Sequence, residues 1–261
     1  MNTKTLLITG GSSGIGLATA VLFKDKGWRV FELSRHGANH DGIEHIDCDV
    51  TLPESVQQAV AEVISRAEVI DVLISNAGFG ISGAIEFTKL EDAKRQMDVN
   101  FFGALNAVQA VLPHMRERKQ GRILFTSSVA AVLPVPYQAF YSASKAAINA
   151  LALALANEVR EFGIRVGFLM PGDVATGFTA ARDKSEQGAE VYTNINKAVA
   201  AMEKDEQNGM RPEKMAQLFY KMATRRSPSP YYVGGLAYKV FCLLNRLLPT
   251  RFVNWIEGIM Y

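Results

Sequence analysis

The chain alternates short apolar runs with longer amphipathic stretches, and this pattern predicts its secondary structure. Six short runs have the character of strands that are buried on both faces: residues 5–9, 29–33, 44–47, 71–75, 122–126 and 165–170. Four stretches between them have the length and periodicity of helices: residues 14–26, 53–67, 98–118 and 141–162. The alternation predicts an α/β fold, with helices on both faces of a doubly wound parallel sheet in three layers (α/β/α).

Two segments that follow the last predicted strand have a different character. Residues 176–209 are polar and helical in tendency, and we expect them to form a substrate lid over the strand ends, with a solvated helix pair as the alternative. Residues 231–261 predict an amphipathic C-terminal extension of two helices, which Pro249 separates. Because no linker divides the sequence, we expect residues 1–261 to form a single domain.

Composition and charge exclude several classes of protein. Hydrophobic residues make up 48% and charged residues 21%, as in soluble globular proteins, and a net charge of +2 gives no reason to expect nucleic-acid binding. Cys48 and Cys242 are expected to be free thiols in a cytoplasmic protein, and the four histidines predict no metal site. We expect no signal peptide, and no stretch with the length and apolarity of a membrane span.

Large apolar side chains in the C-terminal extension recur at intervals of three and four. They are Val233, Leu236, Ala237, Val240, Phe241, Leu244, Leu247 and Leu248. Residues 211–261 are also basic, with eight Lys or Arg and two Glu. Such helices can lie in a membrane interface, which predicts a peripheral membrane contact through them. The alternative, favoured for at least half of the stripe, is packing on the domain's own core or on a second subunit.

A glycine-rich loop joins the first predicted strand to the first predicted helix. Glycine permits a sharp turn there and lets the backbone approach a pyrophosphate, while the helix N-terminus offers free N–H groups to the phosphates. The spacing is G-x-x-x-G-x-G, and not the G-x-G-x-x-G of many dinucleotide sites. A tight glycine-rich turn without a ligand is therefore an equal alternative at this point.

The end of the second predicted strand bears on the choice of cofactor. NAD-selective sites carry a carboxylate there for the ribose hydroxyls, whereas this chain ends with Ser34 and Arg35. A 2′-phosphate would be attracted by Arg35 and hydrogen-bonded by Ser12. NADP(H) is therefore expected in preference to NAD(H), and the alternative is that Arg35 is simply solvated.

A tyrosine and a lysine four residues apart begin the last predicted helix. This spacing places Tyr141 and Lys145 on one face, where an ammonium lowers the pKa of a phenol from about 10 and fits it for proton exchange with a carbonyl oxygen. The pair alone is common by chance in helices. Ser128 follows the strand at 122–126 and emerges at the same sheet edge, where it would hydrogen-bond the substrate oxygen. The alternative for Ser127 and Ser128 is local capping of the strand end.

Taken together, the motifs resemble one family, the single-domain branch of the short-chain dehydrogenases/reductases, in the family's order from residue 5 to about residue 176. Its T-G-x-x-x-G-x-G loop is matched at residues 9–16, which include Gly10, Ser12, Ser13, Gly14, Ile15 and Gly16. Its adenine-contacting pair is matched by Asp49 and Val50, and its N-N-A-G strand end by Ser75, Asn76, Ala77 and Gly78, with serine in place of the first asparagine. Its P-G-x-x-x-T segment, which binds the nicotinamide carboxamide, is matched by Pro171, Gly172, Val174 and Thr176. Its four catalytic positions are matched by Asn100, Ser128, Tyr141 and Lys145.

The resemblance implies a Rossmann fold that binds a nicotinamide cofactor through these segments. It implies that Asn100 holds a water in a proton relay to Lys145, and that Lys145 also holds the nicotinamide ribose hydroxyls. Since members commonly form dimers or tetramers, a homodimer or homotetramer is expected.

The expected function is NADP(H)-dependent interconversion of a ketone or aldehyde and an alcohol. Relatives with such tails act on steroids, retinoids or lipid ketones, which favours a lipophilic small-molecule substrate. Six residues are candidates for an apolar wall: Pro134, Val135, Pro136, Phe140, Phe178 and Met202. The alternatives are a non-catalytic NADP(H)-binding sensor or scaffold, and a protein that acts at a membrane surface.

Overall fold

The computed structural model describes residues 3–260. In this part of the chain the strands are β1 (Thr5–Thr9), β2 (Arg29–Ser34), β3 (Ile43–Asp47), β4 (Val72–Ser75), β5 (Ile81–Ser82), β6 (Gly121–Thr126), β7 (Ile164–Pro171), β8 (Asp183–Lys184) and β9 (Tyr231–Gly234). The helices are α1 (Gly14–Asp25), α2 (Pro53–Ala67), α3 (Leu90–Met97), α4 (Gly103–Glu117), α5 (Ala139–Glu158), α6 (Ile195–Gln207), α7 (Pro212–Thr224), α8 (Leu236–Leu247) and α9 (Thr250–Met260).

Seven of these strands form one parallel sheet in the order β3-β2-β1-β4-β6-β7-β9. The chain adds β2 and β3 on one side of β1 and then returns to add β4 on the other side. In such a sheet a crevice opens at the carboxyl ends of β1 and β4, where ligands bind. β5 and β8 form a separate two-stranded ribbon. The predicted fold class is confirmed.

Two apolar layers hold the helices against the two faces of the sheet. In one layer Phe31 and Phe125 of the sheet pack against residues of α2, α4 and α5. In the other layer Phe23 of α1 and Phe219 of α7 pack against the opposite face. All four rings are fully buried, and each such burial contributes about 1.5–3 kcal/mol to folding.

Several elements differ from the sequence prediction. The strand β9 and the helix α3 were not predicted. The helix predicted at residues 98–118 begins with a π-helical turn over Asp98–Phe102, and α4 follows it. The helix α5 starts two residues before Tyr141, so this tyrosine lies in its first turn. The helical stripe was predicted to begin at Val233, but Val233 lies in β9 and is buried against the core.

The expectation that no segment has the length and apolarity of a membrane span is wrong for α5. Among the described residues α5 is the helix that passes this test, with a mean hydropathy of 1.3 over its most apolar window. Its apolar character has a local explanation. Ile148, Ala152 and Leu155 are buried in the layer on the sheet, so α5 is a core helix of this fold.

Candidate active site

The loop between β1 and α1 has the shape of a pyrophosphate cradle. Gly10 has φ +65°, and a Cβ there would lie 2.9 Å from the Cα of Ala77. A Cβ on Gly16 would overlap the carbonyl oxygen of Gly10, so the loop and the helix pack backbone to backbone. Ser13 precedes α1 without a capping side-chain hydrogen bond, which leaves the N–H groups of the first turn for a ligand. The loop therefore fits the dinucleotide that the sequence predicts.

Asn76 fastens this loop to the neighbouring strands. Its Nδ2 donates to the carbonyl oxygens of Thr9 at 3.2 Å and Gly10 at 3.0 Å, and its Oδ1 accepts from Thr126 Oγ1 at 2.9 Å. The Thr9 hydroxyl oxygen in turn accepts the backbone N–H groups of Asn76 and Ala77. β1, β4 and β6 are thus tied together at their carboxyl ends, beside the crevice.

The adenine end of the predicted site lies at the ends of β2 and β3. Arg35 is exposed directly after β2, while the nearby Glu32 is buried and bonded to His45 and Ser34. Although partial burial acts in the opposite direction, hydrogen bonds from Thr51 and the charge of Arg35 lower the pKa of Asp49. At the end of β2 the exposed charge is therefore the guanidinium, and not the Glu32 carboxylate, while Asp47 is exposed at the end of β3.

Asn100 lies in the π-helical turn and is only 2% exposed. Its Oδ1 accepts the N–H of Phe79 at 3.0 Å, and its Nδ2 donates to the carbonyl oxygen of Phe79 and to Ser144 Oγ, also at 3.0 Å. The side chain thus joins the exit of β4 to α5, one residue before Lys145. Ser144 is a positioning residue that the sequence analysis missed, although it stands inside the Tyr141–Lys145 motif. The water relay expected at Asn100 stays a prediction.

Ser128, Tyr141 and Lys145 meet at the carboxyl end of β6. The Ser128 side chain hydrogen-bonds Tyr141 and also accepts the N–H of Ala130 at 3.1 Å. The local capping role that was the alternative for Ser128 is present, and its predicted hydrogen bond to the substrate oxygen stays a prediction. Ser127 is buried and donates to the carbonyl oxygen of Lys145 at 3.2 Å, so it ties α5 to β6.

The structure differs from the expectation of a lowered Tyr141 pKa, because burial outweighs the effects of the neighbouring groups. Burial raises the pKa of Tyr141 to about 12, and the hydrogen bond with Ser128 offsets this only in part. Lys145 Nζ lies 5.7 Å from the centroid of the tyrosine ring and donates to the carbonyl oxygen of Thr126 at 2.9 Å. Burial also lowers the pKa of Lys145 to about 8. The spacing of the motif shows that the two groups are neighbours, but not that both are desolvated.

A cavity of about 1160 Å³ joins the glycine loop to these side chains. The predicted site residues that line it are Gly10, Ser13, Gly14, Ile15, Asn76, Ala77, Gly78, Ser128, Tyr141, Lys145, Pro171, Gly172, Val174 and Thr176. Other predicted site residues lie outside its lining: Ser12, Gly16, Arg35, Asp49, Val50 and Asn100. Of these, Gly16 and Asn100 support the lining from behind, and the other four lie toward the adenine end or at the loop surface.

The outer walls of the cavity come from the two segments after β7. Phe178 and Met202, from the predicted lid, line it together with Pro134 and Val135, whereas Pro136 and Phe140 do not. The Phe178 ring lies 5.7 Å from the Tyr141 ring, centroid to centroid. The C-terminal helices contribute Tyr238, Phe241, Leu244, Asn245, Leu248, Val253, Ile256 and Glu257.

Tyr238 anchors α8 to the end of β7. Its hydroxyl donates to Asp173 Oδ2, and its ring fills the space over Gly172 that a side chain would occupy. Asn245, two turns further along α8, donates to the carbonyl oxygen of Val132 at 2.8 Å. The sequence analysis missed both Asp173 and Tyr238 as site residues. Asp173 stands inside the P-G-x-x-x-T segment, whereas no motif singles out Tyr238.

Comparison with known proteins identifies related chains over the whole length. A family model described as short chain dehydrogenase matches residues 4–187. A 3-ketodihydrosphingosine reductase of Bacteroides thetaiotaomicron is 39% identical over 100% of this chain and 99% of its own length. A protein of Helicobacter pylori, named as a probable short-chain type dehydrogenase/reductase, is 30% identical over 97% of this chain and 95% of its own.

A solved structure has the same architecture. The crystal structure of a short-chain dehydrogenase from Streptomyces avermitilis superposes with a TM-score of 0.84 at 30% identity. The match covers 95% of this chain and 93% of the other.

Proposed function

This chain belongs to the short-chain dehydrogenase/reductase family, and we propose that it is an NADP(H)-dependent reductase that converts a ketone on a lipophilic substrate into an alcohol. The observation that carries the proposal is the meeting of Ser128, Tyr141 and Lys145 in one cavity with the glycine loop. A cradle for a dinucleotide and a proton donor thereby face the same enclosed space.

The chain's own groups supply binding and proton transfer in this reaction. A nicotinamide cofactor supplies the hydride when it is bound. Tyr141, whose pKa burial raises to about 12, holds its proton at neutral pH and gives it from Oη to the carbonyl oxygen. In this proposal Ser128, which hydrogen-bonds Tyr141, also hydrogen-bonds the same oxygen. Lys145, close to the ring, stabilises the charge that Tyr141 acquires.

The preference for NADP(H) rests on the charges at the end of β2. Arg35 is exposed there and free to pair with a 2′-phosphate, and the buried Glu32 is occupied by His45 and Ser34. No exposed carboxylate from β2 stands in the position that NAD-selective sites use for the ribose.

The lipophilic substrate is supported by the cavity walls and by a relative. Apolar side chains from the lid and from the C-terminal helices line the space beside Tyr141, and its volume accommodates a cofactor end together with a long chain. The relative with 39% identity is named as a reductase of 3-ketodihydrosphingosine, a long-chain ketone. We propose a long-chain ketone as the substrate class.

The C-terminal helices support a peripheral membrane contact as part of the same function. Leu247 and Trp255 are 71% and 61% exposed, and Lys239, Arg246 and Arg251 are exposed near them. A lipid substrate would then enter from the surface on which these helices lie. The homodimer or homotetramer and the cytoplasmic location stay predictions.

The test is reduction of long-chain 3-ketones, followed by the loss of NADPH absorbance, with NADH in a parallel series. We expect turnover with NADPH, lower efficiency with NADH, and a loss of about 100- to 10,000-fold in kcat for Tyr141→Phe with NADPH binding retained. NADPH binding without turnover of any ketone would favour a cofactor sensor. Loss of NADPH binding in Tyr141→Phe would contradict the role of this residue as proton donor.

A further inference from the structure

Asp173 places a carboxylate in the cavity that the proposed reaction does not use. The residue leaves the end of β7 directly after Gly172 and lines the same cavity as Tyr141. Within the described part of the chain, its carboxylate has one side-chain hydrogen-bond partner, the uncharged hydroxyl of Tyr238, which donates to Oδ2. Oδ1 accepts no side-chain hydrogen bond from the described residues, and Asp173 is partly buried.

The other acidic groups nearby are differently placed. Glu206 pairs with the fully buried side chain of Arg182 and accepts from Thr179 Oγ1 at 2.6 Å, so its charge is already balanced. Asp205 lies exposed on α6, at the rim. Asp173 therefore combines partial burial with the absence of an ion pair among the described residues. The charge of Arg182 reaches it, but Arg182 is paired with Glu206, and Lys214 is an exposed residue of the cavity lining.

A carboxylate in such surroundings is costly unless a cation or several donors compensate it. Burial raises the pKa of Asp173, and the charges of Glu206 and Asp205 act in the same direction, although the Tyr238 hydrogen bond and the charge of Arg182 oppose them. Asp173 and Tyr141 line the same cavity, and the charge of Asp173 contributes to the raised pKa of Tyr141. A positive ligand group beside the reacting carbonyl would relieve both effects.

We propose that Asp173 is a specificity-determining residue that binds an ammonium group on the carbon next to the substrate ketone. The inference rests on the proposed function and names the substrate class more closely, as a long-chain 2-amino-3-ketone. In such a molecule the nitrogen is two bonds from the carbonyl carbon, so a carboxylate that binds it has to stand beside the proton donor. The ketodihydrosphingosine named for the relative has this arrangement.

Tyr238 acts as the positioning residue for this contact. By donating to Oδ2, it fixes the carboxylate and leaves Oδ1 to accept an N–H of the substrate. Its ring lies over Gly172 and thereby packs α8 against the turn that follows β7. A charge-assisted hydrogen bond of this kind changes binding by about 10- to 100-fold.

The test compares two substrates, a long-chain 2-amino-3-ketone and the same ketone with hydrogen in place of the amine. Asp173→Asn removes the charge, is nearly isosteric and still accepts from Tyr238. Asp205→Asn is the matched control, since it removes a carboxylate from the rim. We expect Asp173→Asn to lower kcat/KM for the amino ketone by about 10- to 100-fold and to leave the amine-free ketone within about twofold. Asp205→Asn should leave the ratio of the two substrates unchanged, and Asp173→Glu should keep part of the preference.

The outcomes separate this inference from the proposed function. If the wild-type protein reduces both ketones equally well with NADPH, or if Asp173→Asn slows both alike, the function stands and the inference is overturned. Weaker NADPH binding in Asp173→Asn as the sole defect, measured by cofactor fluorescence, would also overturn it, because the residue would then act on the cofactor turn. If the wild-type protein reduces neither ketone, the proposed function fails and the inference falls with it.

Discussion

Tyr141 keeps its proton because it is buried, and the proposed ketone reduction uses this proton. A phenol with a pKa of about 12 is protonated at neutral pH, and it is a weaker acid than an ordinary tyrosine. Ketone reduction consumes a proton at this position, whereas alcohol oxidation releases one. The proton that the proposed reduction needs is therefore in place on Tyr141 before the substrate binds.

The rate of ketone reduction should fall as the pH rises through about 8. Lys145, whose pKa burial lowers to about 8, loses its charge in this range, while Tyr141 stays protonated. A neutral lysine stabilises the developing phenolate less, so the proton is transferred more slowly. The measurement is kcat/KM from about pH 6 to about pH 10, which reports on groups of the free enzyme. Lys145→Met should be slow and lack this inflection, and the same inflection in that variant would assign it to another group.

Replacement of Arg35 by Asp should move the cofactor preference toward NADH. The carboxylate would repel a 2′-phosphate and accept hydrogen bonds from the ribose hydroxyls. We expect the ratio of kcat/KM for NADPH to that for NADH to fall by about tenfold or more. Lys26→Asp makes the same charge change at an exposed position after α1 and serves as the control. An unchanged ratio in Arg35→Asp would place the 2′-phosphate elsewhere.

Residues of the site were predictable where they belong to local motifs. Each of these features lies within a short stretch of sequence: the spacing of Tyr141 and Lys145, the glycines of the loop, and the position of Ser128 at a strand end. Tyr238 is different, because it meets Asp173 across 65 positions of the chain. The direction of the tyrosine pKa shift also had to come from the structure, since burial depends on the lid and on α8.

At the scale of elements, the pattern of short apolar runs predicted six of the seven strands of the sheet. The seventh, β9, is short, begins after two prolines and has no pattern of its own. It is held by its partner strand, with Tyr231 paired to Phe168 and the two rings stacked 5.4 Å apart. Such a strand is set by tertiary contacts, and local propensity gives it little signal.

Replacement of Gly16 by Ala should disturb the contact between the glycine loop and α1. In Gly16→Ala the new Cβ would overlap the carbonyl oxygen of Gly10, so the loop has to separate from α1. We expect NADPH affinity to fall by about tenfold or more, measured by fluorescence titration. Gly258→Ala in α9 is the matched control, because its Cβ would meet no atom within 4 Å. That variant should bind NADPH normally and stabilise its helix by up to about 1 kcal/mol. Normal NADPH binding in Gly16→Ala would show that the cradle tolerates a shift.

At the scale of the whole molecule, the C-terminal helices present apolar residues in two directions. Phe241 and Ile256 line the cavity and are 44% and 37% exposed, whereas Leu247 and Trp255 lie outside its lining and are 71% and 61% exposed. A membrane or a second subunit would bury Leu247 and Trp255, and the cavity would then open beside the membrane or the subunit interface. The sequence predicts the amphipathic helices, but the division of their apolar residues between two surfaces follows from how α8 is anchored.

Sedimentation with vesicles that contain anionic lipid tests the membrane contact. The double variant Leu247→Ser with Trp255→Ser should bind the vesicles about tenfold more weakly, because it removes exposed apolar area. Leu52→Ser changes a residue that is 54% exposed before α2 and should bind like the wild type. If the double variant instead turns a dimer into a monomer in size-exclusion chromatography, the surface joins two subunits. Full-length variants are required, since removal of residues 231–261 would also remove β9 from the sheet.

The position of β9 has a consequence for synthesis of the protein in the cell. β7 can pair with β6 as soon as residue 171 has left the ribosome, but its other edge has to wait for residue 231. During that interval a nascent chain presents an unpaired strand edge and lacks the wall that α8 and α9 supply. Prematurely terminated chains would therefore carry Tyr141, Lys145 and the glycine loop without becoming enzymes, and we expect them to be cleared as aggregation-prone fragments.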